Sequence, residues 1–243
     1  MGVLLSACLS TLTQSSDSQK KVDVLPSAAR AAEQQGRYGE AANFYRKMYT
    51  EGNEELGTLL GYARNMRYVG AAPDAVSILE AAESSHADTS EFLLEIGKAR
   101  LAAGHGNAAV LSLLRAAKVD PDNWQIHSAL GIGYDLLKEY HEAASAYKRA
   151  LSLSPRNPVI LNNTAISLAQ SGNIDAAIRV LENVPNLARG KPQIRQNLAL
   201  FYGIMGNFKK AERYAKLDLD DEMVKNNMAY FRRFLEKPIK TKP

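Results

Sequence analysis

One cysteine, one tryptophan and four histidines in 243 residues leave little material for a redox, metal or catalytic centre. A lone Cys8 allows no intrachain disulfide. His86, His105, His127 and His141 each lack a second histidine or a carboxylate four residues away, the spacing that places two ligands on one helical face. No phosphate-cradling glycine loop, nucleophile elbow or Cys/His cluster is present, so the sequence spells out no enzyme and implies no cofactor and no metal. No apolar run reaches the length that a membrane-spanning helix needs. Basic residues are not interleaved with stacking aromatics, which argues against nucleic acid as a partner. The formal charge of +4 fits an anionic partner, and equally fits solvated Lys and Arg on helix backs.

What the sequence does have is alanine and glycine at regular intervals. In the stretch 130–155, LGIGYDLLKEYHEAASAYKRALSLSP, small residues alternate with large apolar ones at fixed offsets. Stepping by 34 in both directions from this stretch gives Ala29, Ala63, Gly97, Gly131, Ala165 and Ala199 at one position. A second position reads Ala41, Ala75, Ala109, Ala143, Ala177 and Ala211. Small residues at both positions let the two helices of a hairpin cross closely. Between them stand Gly36, Gly70, Gly104, Lys138, Gly172 and Gly206, five glycines in six at an expected helix C-terminus. Leu130, Gly131, Tyr134, Ala143, Tyr147, Ala150 and Pro155 resemble the tetratricopeptide (TPR) pattern L-G-x2-Y, A-x3-F-x2-A, P.

The expected fold is therefore all-α, a right-handed TPR superhelical solenoid of about six 34-residue helix-turn-helix repeats. The repeats fall at 22–55, 56–89, 90–123, 124–157, 158–191 and 192–225. Residues 226–243 read as a capping helix and tail in which Met228, Phe231 and Leu235 can face the last hairpin. Residues 1–21 read as a truncated signal with a lipobox followed by a polar tether.

In such arrays, positions 2, 5, 6, 9 and 12 of each repeat line a groove that receives an extended segment or a helix. Here they give Arg30, Arg64, Arg67 and Lys98 in the first half, a cationic stripe suited to acidic peptide tails. The second half gives Gln125, Ser128, Asp135, Asn162, Asn163, Gln193, Gln196 and Asn197. An amide offers a donor and an acceptor, so the Asn163 and Asn197 slots can pair with the main chain of an extended peptide. The plainer alternative is that these amides bridge neighbouring helices.

Leu5-Ser6-Ala7-Cys8 has the form of a bacterial lipobox, in which the cysteine is lipidated and becomes the mature N-terminus. Too few residues precede Cys8 for a signal peptide, so the expected start lies upstream. Met1-Gly2 with Ser6 also fits the N-myristoylation pattern, a rival lipid signal. The stretches LNNTAISLAQSGNIDAAIRVLENV and IRQNLALFYGIMGNFKKAERYAKLDL, followed by NNMAYFRRF, resemble the C-terminal half of TadD-type TPR lipoproteins of the tight-adherence (Flp) pilus assembly system. The resemblance implies an outer-membrane lipoprotein at the periplasmic face, anchored through Cys8. It would act as a pilotin-like scaffold for the pilus secretin and accessory assembly proteins. It also implies a partner surface at Asn162, Asn163, Arg195, Gln196 and Asn197. The competing expectation is a soluble TPR adaptor or co-chaperone that captures acidic tails through Arg64, Arg67 and Lys98.

Overall fold

In the computed structural model, residues 24–185 and 191–236 are described, and every regular element among them is α-helical. Cys8 and the polar stretch after it lie outside the described residues. The helices are α1 (24–34), α2 (Tyr38–Thr50), α3 (Leu56–Tyr68), α4 (Ala72–Ala81), α5 (Glu83–His86), α6 (Ser90–Ala102) and α7 (Gly106–Val119). They continue as α8 (Trp124–Leu136), α9 (Tyr140–Leu153), α10 (Pro158–Gln170), α11 (Ile174–Glu182), α12 (Pro192–Ile204), α13 (Phe208–Ala215) and α14 (Asp221–Glu236). The chain divides into two compact units with the boundary between Val119 and Asp120.

Helices α3, α6, α8, α10 and α12 are each 13 residues long and begin at 56, 90, 124, 158 and 192, successive starts 34 residues apart. The spacing follows from steric demands at a few positions. All six alanines at the second crossing position are fully buried. At the first position a glycine is required where a large neighbour leans in: a Cβ on Gly131 would sit 2.5 Å from the Tyr147 ring. The turn ends each first helix in the left-handed region, at φ between 62° and 90°, and Lys138 adopts it without being glycine. Asparagines supply four of the helix N-caps. Asn123, Asn157, Asn173 and Asn207 each accept a hydrogen bond from a backbone N–H in the first turn of α8, α10, α11 and α13.

In the first unit α2 packs on α3, α3 on α4 and α6, α4 on α6, and α6 on α7. Leu59, Leu79, Phe92 and Ile96 form a buried cluster there, and Leu25, Ala29, Tyr45 and Met48 another. In the second unit α8 pairs with α9, α10 with α11 and α12 with α13, with α8, α10 and α12 side by side. Its core runs from Ala165 through Leu181, Leu198 and Tyr202 to Phe231.

One expected boundary shifts, and the second repeat carries an extra turn. The second helix of the second repeat is broken after Ala81, and Glu83–His86 forms a separate single turn. The capping helix begins at Asp221, with Asp220 accepting from the Met223 N–H at 2.8 Å, earlier than residue 226. On it Met228 and Phe231 are buried, and Leu235, 46% exposed, lies against the turn of the last hairpin at Gly206.

Candidate functional site

The first helices carry the candidate groove residues in both units. In the first unit two of the four cations of the expected stripe, Arg64 and Arg67, are neutralised from within, while Arg30 is exposed and forms no ion pair among the described residues. Arg64 Nη2 lies 2.9 Å from Glu33 Oε1, and Arg67 Nε lies 3.1 Å from Glu95 Oε1. Glu33 also accepts from Asn65 Nδ2 at 2.6 Å and from the Tyr45 hydroxyl at 3.3 Å. Arg67 further rests on the Tyr68 ring, 4.7 Å from its centroid. Burial pushes the Lys98 ammonium pKa below its usual range; Glu95 pulls it back while Arg67 and Arg64 add to the lowering. Arg64 and Arg67 therefore correct the reading of a free cationic stripe. Their counter-charges escape a helix-by-helix reading because they sit one repeat away, 31 and 28 residues distant. Comparing register positions across repeats, instead of within each, is the signal that points to Glu33 and Glu95.

Arg100, in a slot where the repeat pattern favours an aromatic, is a second internal network. Its guanidinium reaches Glu80 at 3.1 Å, Glu83 at 3.0 Å and Ser112 Oγ at 2.5 Å, tying α6 to the segment around the broken helix. Glu83 also pairs with Arg115 at 2.9 Å.

The second unit is organised differently. Asn197 Nδ2 donates to Asn162 Oδ1 at 2.8 Å, and Asn163 Nδ2 donates to Ser128 Oγ at 3.3 Å. These bonds stitch α8 to α10 and α10 to α12 on one face. They use only part of each amide's capacity: Asn162 keeps its N–H donors, and Asn163 and Asn197 each keep a carbonyl oxygen. Asn162, Asn163, Gln193, Gln196 and Asn197 line a groove of about 390 Å³ together with Val159 and Ile166. Gln125, Gln193 and Gln196 are exposed, as are the apolar Ile132, Leu136, Val159 and Leu200 on the same three helices. The face thus combines unused amide capacity with uncovered aliphatic groups.

Asp135 lies beside a second cavity of about 550 Å³. It accepts from the Tyr147 hydroxyl at 2.8 Å and from Ser167 Oγ at 2.6 Å. Burial raises its carboxyl pKa despite those two donors, and pushes the Tyr147 hydroxyl well up, with the Asp135 charge adding to it.

Arg195 does not belong to this surface. Its side chain is 8% exposed and that of Asp218 is 6%, and the guanidinium holds the carboxylate through both Nε, at 2.8 Å, and Nη2. The planar fork matches both carboxylate oxygens, so it fastens α12 to the segment ahead of α14. Among the described residues no group of three or more His, Cys, Asp or Glu could hold a metal ion, and no helix is long and apolar enough to cross a membrane.

Family profiles described as tetratricopeptide repeat match residues 94–158 and 137–200. Residues 94–200 are tetratricopeptide repeats. Curated relatives share the repeats over part of their length. A TPR repeat-containing thioredoxin of Arabidopsis thaliana is 35% identical over 120 residues, 46% of this chain and 17% of the relative. A probable biofilm formation methyltransferase of Pseudomonas putida is 34% identical over 118 residues, 48% of this chain and 27% of that one. The chain therefore spans about a quarter or less of these curated relatives. Among solved structures, a tetratricopeptide repeat protein from Parabacteroides merdae superimposes with a TM-score of 0.72 at 13% identity, over 87% of this chain and 84% of the other. A thermophilic TPR protein of Thermus thermophilus gives 0.63 at 20% identity, over 73% and 98%. Identities this low show the shared fold alone.

Proposed function

We propose that this protein is a non-catalytic scaffold whose partner lays an extended segment along α8, α10 and α12. The observation that carries the proposal is the row Asn162, Asn163, Gln196 and Asn197 over the groove, partly engaged in links between helices and partly unused. Such a row supplies donors and acceptors to a peptide main chain without reading its side chains, while Ile132, Val159 and Leu200 offer apolar contact. Replacing Asn163 and Gln196 together by alanine is expected to weaken a peptide selected on the full chain about tenfold or more. Calorimetry reads the loss; unchanged affinity with an unchanged melting temperature refutes the groove reading.

The sequence resemblance to TadD-type lipoproteins supports a narrower assignment. On it, the scaffold serves assembly of the tight-adherence pilus, holding the secretin or an accessory assembly protein. Lipid on Cys8 keeps it at the periplasmic face of the outer membrane, with the polar stretch after Cys8 as tether. Cys8→Ser, expressed with its complete leader in the native host, is expected to release the protein from membranes and abolish piliation. A variant that still fractionates with membranes counts against the anchor. An adaptor for acidic tails is less favoured, because Arg64 and Arg67 already face Glu33 and Glu95.

A further inference from the structure

The two units contain the same polar constellation with one member exchanged. In the first unit the Tyr45 hydroxyl donates to Glu33 and Asn65 Nδ2 donates to the same carboxylate. In the second the Tyr147 hydroxyl donates to Asp135 and Ser167 Oγ donates to that carboxylate. The separations agree: 12 residues from carboxylate to tyrosine and 32 from carboxylate to the second donor, in both. The residue before that donor breaks the likeness. In the first unit it is Arg64, 2.9 Å from Glu33; in the second it is Ile166. A half-buried carboxylate that is neutralised from within at one place is left without a cation at the other.

Among the described residues no Lys, Arg or His forms an ion pair with Asp135. Lys138 lines the same cavity but does not close that distance. The cavity beside Asp135 is walled by Ile132, Leu136 and Ile166, so an alkyl stem can lie on aliphatic surface with a charged head at the carboxylate. An acid held partly out of water by two hydroxyl donors and lacking a counter-charge is a poor structural element on its own. It becomes a favourable one when a cation arrives.

We propose that the cation at Asp135 comes from the partner: a lysine or arginine of the bound segment takes the place that Arg64 fills beside Glu33. This rests on the groove reading above and adds the chemistry of the segment. The cavity at Asp135 adjoins the amide groove through Asn163 and Ile166, which line both, so one extended segment can span the two.

The test selects random nonapeptides displayed on phage against the full chain, and against its Asp135→Asn and Ile166→Arg variants. Asp135→Asn keeps the shape and removes the charge; Ile166→Arg keeps Asp135 and installs the cation of the first unit. Peptides selected on the natural chain are expected to carry a lysine or arginine at one fixed position, and its replacement by methionine to weaken them about tenfold to a hundredfold. Both variants are expected to erase that difference, with circular dichroism confirming that each is folded. Selected peptides with no basic preference, or a preference that survives in both variants, overturn the inference and leave the groove reading standing. Peptides whose binding ignores the Asn163 and Gln196 alanines overturn both.

Discussion

Arg195 separates a partner-surface residue from a structural one, and the difference is large enough to measure in one melt. The Arg195 and Asp218 side chains are 8% and 6% exposed, so Arg195→Ala leaves a carboxylate buried without its fork. Removing one partner of a buried pair costs about 3–5 kcal/mol, because the survivor keeps the desolvation penalty and loses the attraction. Spread over a unit of this size, at about 3 °C per kcal/mol, that is a fall of about 10–15 °C in the melting temperature of the second unit. Asp218→Ala should cost a similar amount. The double replacement Arg195→Met with Asp218→Leu should recover most of the loss, since an apolar pair of similar volume is commonly neutral or stabilising. Thermal unfolding followed by far-ultraviolet circular dichroism, with urea titration for the free energies, compares the natural chain, the two single variants and the double replacement. If Arg195→Ala melts with the natural chain, or if the double replacement is as unstable as the sum of the singles, the buried-pair reasoning is wrong.

The repeat register yields two further predictions. Lys138 holds φ 62°, where the five equivalent positions have glycine. Lys138→Gly relieves about 1–2 kcal/mol of left-handed strain and gives back about 0.5–1 through unfolded-chain entropy, so a net stabilisation of about 0.5–1 kcal/mol is expected in urea titration. Gly131→Ala drives a methyl into the Tyr147 ring and is expected to destabilise by about 1–3 kcal/mol, displacing the hydroxyl from Asp135. Asp135 also predicts a pH dependence. Burial raises its folded pKa, so the folded chain binds that proton more tightly than the unfolded chain does. Its contribution is then present in acid and lost as pH rises from about 4 through the folded value. Asp135→Asn should remove that decline, read as the difference between the two melting-temperature profiles over the acid range.

What can be read in the sequence follows from where the physical constraint lies. A helix crossing requires a small residue at a fixed place in every repeat, so Ala41, Ala75, Ala109, Ala143, Ala177 and Ala211 announce themselves by spacing, and all are fully buried. The left-handed turn leaves the same kind of mark through its glycines. The surface leaves no such mark. Arg64 and Arg67 read as groove cations when each is taken on its own helix, while Glu33 and Glu95 reach them from neighbouring repeats. Arg195 faces Asp218, which follows α13 and lies outside the repeating positions. Asn162 and Asn197 are legible as groove residues, but their mutual bond is not, because it joins position 5 of one repeat to position 6 of the next.

A partner segment lying on the faces of α8, α10 and α12 that carry Gln125, Asn162 and Gln196 can be caught in place. Site-specific photocrosslinking in the native host tests it most directly, with a benzophenone amino acid placed at Gln125 or Gln196, and at Lys148 and Arg179 on the exposed backs of α9 and α11. One shared crosslinked partner is expected from Gln125 and Gln196 and none from Lys148 or Arg179. The same partner captured from Lys148 or Arg179, and absent at Gln125 and Gln196, would contradict a groove-bound segment.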